Sequence, residues 1–452
     1  MSEAKLQDGA SPFIIESCIL GSSRTPLTFD ITSSIADFII YENINKPYLT
    51  GKLSYLDSHA ALESMVYGGD EFIDIIFKRP GNENKVQKRF HLDRIMGSSK
   101  ANEKAEAYFF HMTEDSQYKS IAVNVNKYYS GKPIEIIQDI LKTFTNKEVK
   151  FNPDNNDAST PMKVIIPNLN PFSACDWIKN RAITNNGLPF VLYQPLKNDF
   201  LIYTDFGTLL TQRVVNPTEP FVDWSSGTMI DDIPNTNQIL NYNFNNTENL
   251  MDYVSGGSVG AEYSFYDTST GSFKNIKLDI RETFERLRKE KVINNDTLSY
   301  VYPLSSKIDN TFLSELSSTN ISTYPSTGSF NQGFTNYTSY TEETNYETYE
   351  RRVAGVALKN ILLKSSMTVT VKGTDFLDKE ENFTVGNKVR FLFCRNADNN
   401  NSDGIQTLDS RKSGDYLVLA SNHSFSKNPH QYSITLFCTK LQNVDSTLLR
   451  TS

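Results

Sequence analysis

The stretch Leu49-Thr50-Gly51-Lys52-Leu53-Ser54-Tyr55 alternates apolar and polar side chains. Successive side chains of a strand leave on opposite faces, so Leu49, Leu53 and Tyr55 share one face while Thr50, Lys52 and Ser54 share the other. That is the pattern of a half-buried strand. Short runs of the same kind recur at both ends of the chain. Near the start they lie at 13–20, 38–41, 72–77, 90–95 and 108–112, and near the end at 367–371, 388–393, 416–420 and 432–438. Gly, Asn and Pro punctuate them. Strands this short bury their apolar faces only in small barrels or sandwiches, so the fold class expected is mainly β.

Between these regions the apolar period changes. Pro133 suits the first turn of a helix, where its missing N–H costs nothing, and Ile134, Ile137, Ile140, Leu141 and Phe144 follow at helical spacing. Asn170 precedes Pro171 as a helix cap, with Ala174, Trp177, Ile178 and Arg181 on one face of the helix that follows. Strand-like runs at 189–193 and 200–203 complete an α+β unit. Farther on, the glycine-rich turn 255–260 leads into a strand-like run at 263–267. A charged helix over 279–292 has only Ile280, Phe284 and Leu287 as its apolar stripe, with Glu282–Arg286 and Glu285–Lys289 spaced as ion pairs on its wet face. Another helix is expected over 349–363, with Ala354, Ala357, Leu358 and Ile361 on one face, and a short one over 58–66 capped by Ser58. Residues 314–350 are biased towards Ser, Thr, Asn, Tyr and Glu and read as a surface excursion that orders on a neighbouring subunit. The polar stretch 396–414 reads as a long loop.

The two ends also resemble each other. Gly69-Asp70-Glu71-Phe72-Ile73-Asp74-Ile75-Ile76-Phe77 and Gly386-Asn387-Lys388-Val389-Arg390-Phe391-Leu392-Phe393 each place a glycine turn before a strand ending in Phe, and each follows an alternating strand. The match is short and slips by one residue. It suggests two related β-domains separated by inserted material.

Composition narrows the function. With 45 Lys and Arg against 53 Asp and Glu, and glutamates interleaved through the basic cluster at 281–291, no basic footprint for gripping nucleic acid is present. The 28 Phe and 23 Tyr in so polar a chain favour strands and interfaces over disorder. No apolar run reaches membrane-spanning length, and the first residues carry no secretory signal pattern. Cys18, Cys175, Cys394 and Cys438 lie far apart and read as buried free thiols. His59, His91, His111, His423 and His430 form no ligand spacing, and His91 reads as a wet-face histidine. Neither Gly51-Lys52 nor Gly131-Lys132 has the flanking pattern of a phosphate loop, and no nucleophile elbow occurs. Cys175 lies near the packed face of its helix and Trp177 reads as a core anchor. The acidic pairs Asp70-Glu71, Asp231-Asp232 and Glu380-Glu381 flank turns. No residue is therefore assigned as catalytic, cofactor-binding or metal-ligating.

With these pieces placed, the chain resembles the baseplate central hub proteins of myoviruses, the contractile-tailed phages. The resemblance spans most of the chain. It rests on Ile44-Asn45-Lys46-Pro47-Tyr48-Leu49-Thr50-Gly51-Lys52-Leu53 with Asp57 and Gly69-Asp70-Glu71, and on Asn170-Pro171-Phe172 with Ala174, Trp177, Arg181-Ala182 and Pro189-Phe190-Val191-Leu192-Tyr193. Gly257 to Gly260 followed by Tyr266-Asp267, and the terminal glycine-led strand, complete it. The resemblance implies two tube-type β-barrel domains plus inserted domains: a first barrel over 1–115, an inserted α+β domain over 116–235, a second barrel from 236–275 and 365–452, and an inserted helical and Ser/Thr/Tyr-rich excursion over 276–364. It implies a non-enzymatic virion protein of the tail baseplate, assembled in a bacterial host cytoplasm and free of cofactors. As a homotrimer it would adapt the six-fold tail tube to a three-fold central spike and form part of the DNA channel. Its implied partners are tail tube or tube-initiator proteins, the spike and baseplate wedge proteins, with DNA passing unbound and no membrane insertion. The competing readings are a tip or hub protein of a non-contractile tail or secretion-type spike, a virion-associated cell-wall hydrolase, and a receptor- or carbohydrate-binding β-protein.

Overall fold

The structure is a computed structural model that describes residues 11–102, 105–151, 162–184, 186–223, 237–244, 250–267, 272–293, 307–316, 319–323, 345–363, 366–373, 376–377, 384–393, 408–409, 411–428 and 430–442. Thirteen strands join one sheet, and helical segments lie between them, so the mainly β class with α+β insertions is what forms. Numbered in chain order within that sheet, the strands are β1 (Ile14–Ser22), β2 (Thr28–Asp30), β3 (Ile35–Asn43), β4 (Thr50–Asp57), β5 (Glu71–Lys78), β6 (Lys85–Asn102) and β7 (Ala105–Glu114). They continue as β8 (Phe221–Asp223), β9 (Ile239–Phe244), β10 (Met367–Lys372), β11 (Lys388–Phe393), β12 (Gly414–Lys427) and β13 (His430–Gln442). Their spatial order is β9-β10-β13-β12-β3-β4-β7-β6-β5-β1-β2, with β11 paired to β12 and β8 to β11.

One pattern occurs twice in that order. The series β3-β4-β7-β6-β5 and β9-β10-β13-β12-β11 use consecutive strands in the same arrangement, and every neighbouring pair is antiparallel. Two of their irregularities match, while the β6–β7 shifts at Ile95/Gly97 and Lys100/Asn102 and the β12–β13 shift at Asp415/Tyr416 have no counterpart. The β3–β4 register shifts between Ile35 and Asp37, and the β9–β10 register between Ile239 and Asn241. β6 bulges against β7 between Leu92 and Arg94, and β12 against β13 between Val418 and Ala420. Following partners across the ladders aligns Phe38, Leu53, Phe110 and Ile95 with Tyr242, Val369, Leu436 and Ser421. A bulge puts two residues opposite one and bends its strand, so the copies bend alike at those two positions. The outermost strands differ: β1 runs antiparallel to β5, whereas β8 runs parallel to β11.

Local chemistry explains most element ends. Gly69 (φ 90°) and Gly386 (φ 83°) both precede their strands in the left-handed region that glycine adopts without strain. At Gly386 a side chain would also strike the Tyr193 hydroxyl. The helix expected over 58–66 is shorter, Ala61–Met65, and Ser58 does not cap it. The Ser58 hydroxyl pairs with the His59 ring, while the Asp57 carboxylate, already fixed at the end of β4, accepts from the backbone N–H groups of Ala61 and Leu62 at 3.1 and 3.2 Å.

Residues between β7 and β8 build a second core. The helix Pro133–Phe144 starts on its proline and buries Ile134, Ile137, Ile140 and Leu141, with Ile136 buried too. Asn170 caps the helix Pro171–Lys179 by accepting from the Ser173 N–H at 2.9 Å. Strands Phe190–Tyr193 and Leu201–Asp205 pair antiparallel, and Val149–Phe151 lies parallel beside the latter. These elements pack around Ile137, Val164, Cys175 and Tyr203, apart from the main core. The helix Phe206–Thr211 and β8 belong to the main core.

That core lies on one side of the sheet. The helix Ile280–Lys289 contributes Ile280, Phe284 and Leu287 to it, and the helix Asn345–Leu362 contributes Ala354, Ala357, Leu358 and Ile361. On the wet face of Ile280–Lys289 the expected Glu282–Arg286 and Glu285–Lys289 pairs do not form. Arg286 turns to Glu290 (3.5 Å) and to the Asn186 carbonyl (3.2 Å), and Arg281 reaches Glu315 (3.0 Å). Of the stretch 314–350, strand Thr319–Thr323 runs parallel to Gly260–Asp267; residues 324–344 lie outside the described residues, as do Cys394 and most of the loop expected over 396–414.

Candidate assembly interface

The two repeats meet within one chain. β3 pairs antiparallel with β12, Asp37 opposite Ser426 through to Asn43 opposite Ala420. On the core side of this joint Phe38 stacks on Phe425, with ring centroids 4.3 Å apart and planes 9° from parallel. Phe425 also stacks on Tyr432 at 4.2 Å and takes the edges of Phe77 (4.8 Å) and Phe13 (5.2 Å). Such ring contacts add to the burial of their apolar area.

One charge is buried at the same joint. Glu42 on β3 is sealed from solvent, and its carboxylate accepts from the Ser421 hydroxyl, the His423 ring (2.8 Å) and the backbone N–H of Leu196. Through Nδ1, His423 meets the Tyr432 hydroxyl at 2.9 Å. Glu42 thus links β3, β12 and the inserted α+β region. Burial pushes its carboxyl up, but the opposing pull of His423 and the hydrogen bonds wins and holds it below the ordinary range. The inserted region is held further by Lys147 on Glu114 (2.6 Å) and Lys88 on Asp199 (2.7 Å).

Opposite the core, the sheet presents an open face. Register carries one row across seven strands: Asn241, Thr370, Thr435, Asn422, Tyr41, Thr50 and Thr113. Every member is polar and uncharged, and the Thr370 and Thr435 hydroxyls lie 3.0 Å apart. The adjacent row runs Lys372, Ser433, Ser424, Ile39, Lys52, His111 and Arg94. The first row ends on β6 at His91, opposite Thr113, where the helix Asp115–Ile121 covers the face. A groove of about 460 Å³ crosses the joint on it, between Ser424, Ile39, Ser54 and Phe109.

The residues weighed for chemistry are engaged structurally. His91 is not on a wet face: the helix Asp115–Ile121 covers it, stacking Tyr118 at 3.9 Å and placing Asp115 3.0 Å from Nε2. Asp70 and Glu71 clamp Arg24 at 2.5 and 2.7 Å. Asp231-Asp232 and Glu380-Glu381 lie outside the described residues. Cys18, Cys175 and Cys438 are buried free thiols; desolvation pushes Cys18 up to about 12 and raises the other two, which disfavours the reactive thiolate. Trp177 packs against the second core beneath the Arg181 guanidinium at 3.7 Å. Among the described residues no group of three His, Cys, Asp or Glu side chains is placed to hold a metal. No described helix is long and apolar enough to cross a membrane.

The carboxylates give a pH prediction. Asp70 is held at about 2, burial raising it while Ser23, Ser22 and Arg24 outweigh burial, and Asp115 at about 2, chiefly by its hydrogen bond to His91. A carboxyl depressed in the folded state stabilises above its unfolded value, and that contribution is lost as pH falls towards the folded one. The urea midpoint should therefore hold steady above pH ~5 and drop between about pH 4 and pH 2. Asp70→Asn with Asp115→Asn should flatten that drop.

No protein-family model matches the chain, and no curated protein matches its sequence. Solved structures do. The chain is similar to the 43 kDa tail protein of prophage MuSo2 from Shewanella oneidensis, with a TM-score of 0.52 and 9% identity over 94% of this chain and 98% of that one. It is likewise similar to a tail protein from Neisseria meningitidis MC58, with a TM-score of 0.50 and 9% identity over 96% and 97% of the two chains. Both likenesses take in nearly the whole of each chain, inserted regions included. The fold is therefore that of phage tail proteins, in agreement with the resemblance to tail hub proteins read from the sequence.

Proposed function

We propose that this chain is a structural component of a phage tail, the central hub of the baseplate, and that it works as a homotrimer without catalysis. The observation that carries the reading is the repeated strand arrangement with its shared bulges. A protein that meets a six-fold tube on one side and a three-fold spike on the other needs two equivalent units per chain. The two barrels would be 1–115, and 236–275 with 365–452, with 116–235 and 276–364 inserted between strands.

In such a ring the inserted helices cannot fit inside, so the open face would turn inward. The row from Asn241 to Thr113 is uncharged and would give phosphates no fixed partners in a channel for DNA, while the adjacent row carries Lys52 between Lys372 and Arg94. The tail tube and spike would bind at opposite ends of the ring and wedge proteins around it. Light scattering on the purified chain tests this, with a particle near three times 51.2 kDa as the expected result. A monomer that clears host cell wall in a zymogram would overturn it in favour of a hydrolase.

A further inference from the structure

We propose that Lys52, His111 and Arg94 form a contact track for the phosphodiester backbone of DNA on the open face. The proposal rests on the ring reading, which turns that face inward, and names where the passing polymer would touch the wall. The three side chains stand abreast on β4, β7 and β6: Lys52 is paired with His111, and His111 with Arg94. A bulge puts Arg94 there. Leu92 is buried in the core, and strict alternation would send Arg94 to the same side. The extra residue Asp93 shifts the period, so Arg94 comes opposite His111 and joins its face.

Lys52 and Arg94 are exposed, and among the described residues neither forms an ion pair or a side-chain hydrogen bond. Asp93, the carboxylate nearest in sequence, is taken up by the His111 Nδ1 (2.7 Å) and the Thr113 hydroxyl (3.3 Å). With Nδ1 engaged, Nε2 is the His111 atom left for a ligand. Basic side chains directly opposed across strands repel, so the row costs stability unless an anion lies along it. The fold does not require the row. The equivalent positions of the second repeat, paired in the same way, hold Thr368, Phe437 and Ala420. Beside the track run the hydroxyls of Thr113, Thr50 and Tyr41, side chains that join Lys and Arg on phosphates. A net charge of -8 conceals such a footprint, because register assembles it from residues far apart in the sequence.

The test is fluorescence anisotropy of a short labelled DNA duplex with the full chain, over a salt series, beside light scattering. Lys52→Gln/Arg94→Gln should weaken binding about tenfold at low salt and make the salt slope shallower by about 2, since each phosphate contact contributes about 0.9. Its urea midpoint should be no lower than the parent's, because opposed like charges are removed. Lys142→Gln/Lys289→Gln, the same charge change at exposed positions on two inserted helices, should leave binding unchanged. Equal losses from the two pairs would reduce the effect to net charge and overturn the track. So would a parent that does not bind the duplex at low salt, or one from which polyglutamate displaces DNA as well as unlabelled duplex does. A trimeric particle whose binding ignores Lys52→Gln/Arg94→Gln overturns the track and leaves the ring standing. A monomer whose binding falls with that variant keeps the track and overturns the ring.

Discussion

Replacing Phe425 with alanine should cost about 4 kcal/mol of folding stability, the usual scale for emptying a fully buried phenylalanine site. The magnitude follows from placement. Its ring is 1% exposed and contacts Phe38, Tyr432, Phe77 and Phe13, so the void would open where the two repeats meet. Rigid strands on both sides limit how far the site can collapse. The loss should appear as a lower urea midpoint and as faster hydrogen exchange along β3 and β12. Phe425→Leu should recover more than half of it. An alanine variant within about 1 kcal/mol of the parent would mean that the joint is not a cooperative part of the core.

The second large effect is expected at Glu42. Removing a buried, hydrogen-bonded carboxylate costs about 1–3 kcal/mol for each partner left buried and unsatisfied. In Glu42→Ala those groups are His423, the Ser421 hydroxyl and the Leu196 N–H. Glu42→Gln, which keeps an acceptor and the side-chain volume, should be milder. The same substitutions should shrink the acid-sensitive part of stability, since the depressed Glu42 carboxyl contributes only above its folded titration. Equilibrium unfolding at neutral and acid pH measures both. If Glu42→Ala and Glu42→Gln prove equally harmless, the buried carboxylate does not hold the joint.

Features encoded by neighbouring residues were legible in the sequence. The alternation at Leu49 to Tyr55, the proline start at Pro133, the Asn170 cap and the glycine turns at Gly69 and Gly386 each depend on a few adjacent side chains. What was hidden depends on distant pairing. Glu42 gives no local sign of burial, because its partner His423 stands 381 residues away. His91 looked solvated because nothing in β6 announces that Tyr118 will lie on it. The two repeats share few side chains, as Phe38 against Tyr242 and Ile95 against Ser421 illustrate. Their likeness resides in strand order and in bulges at Ile35/Asp37 and Ile239/Asn241, which no residue pattern spells out.

The central claim is that two equivalent units per chain build a ring, and end-on electron micrographs of the purified particle test it most directly. The account predicts averages with an axial hole, a six-fold outline at low resolution and three-fold symmetry once the inserted regions are resolved. Compact particles without a hole, or rings of another symmetry, would contradict it.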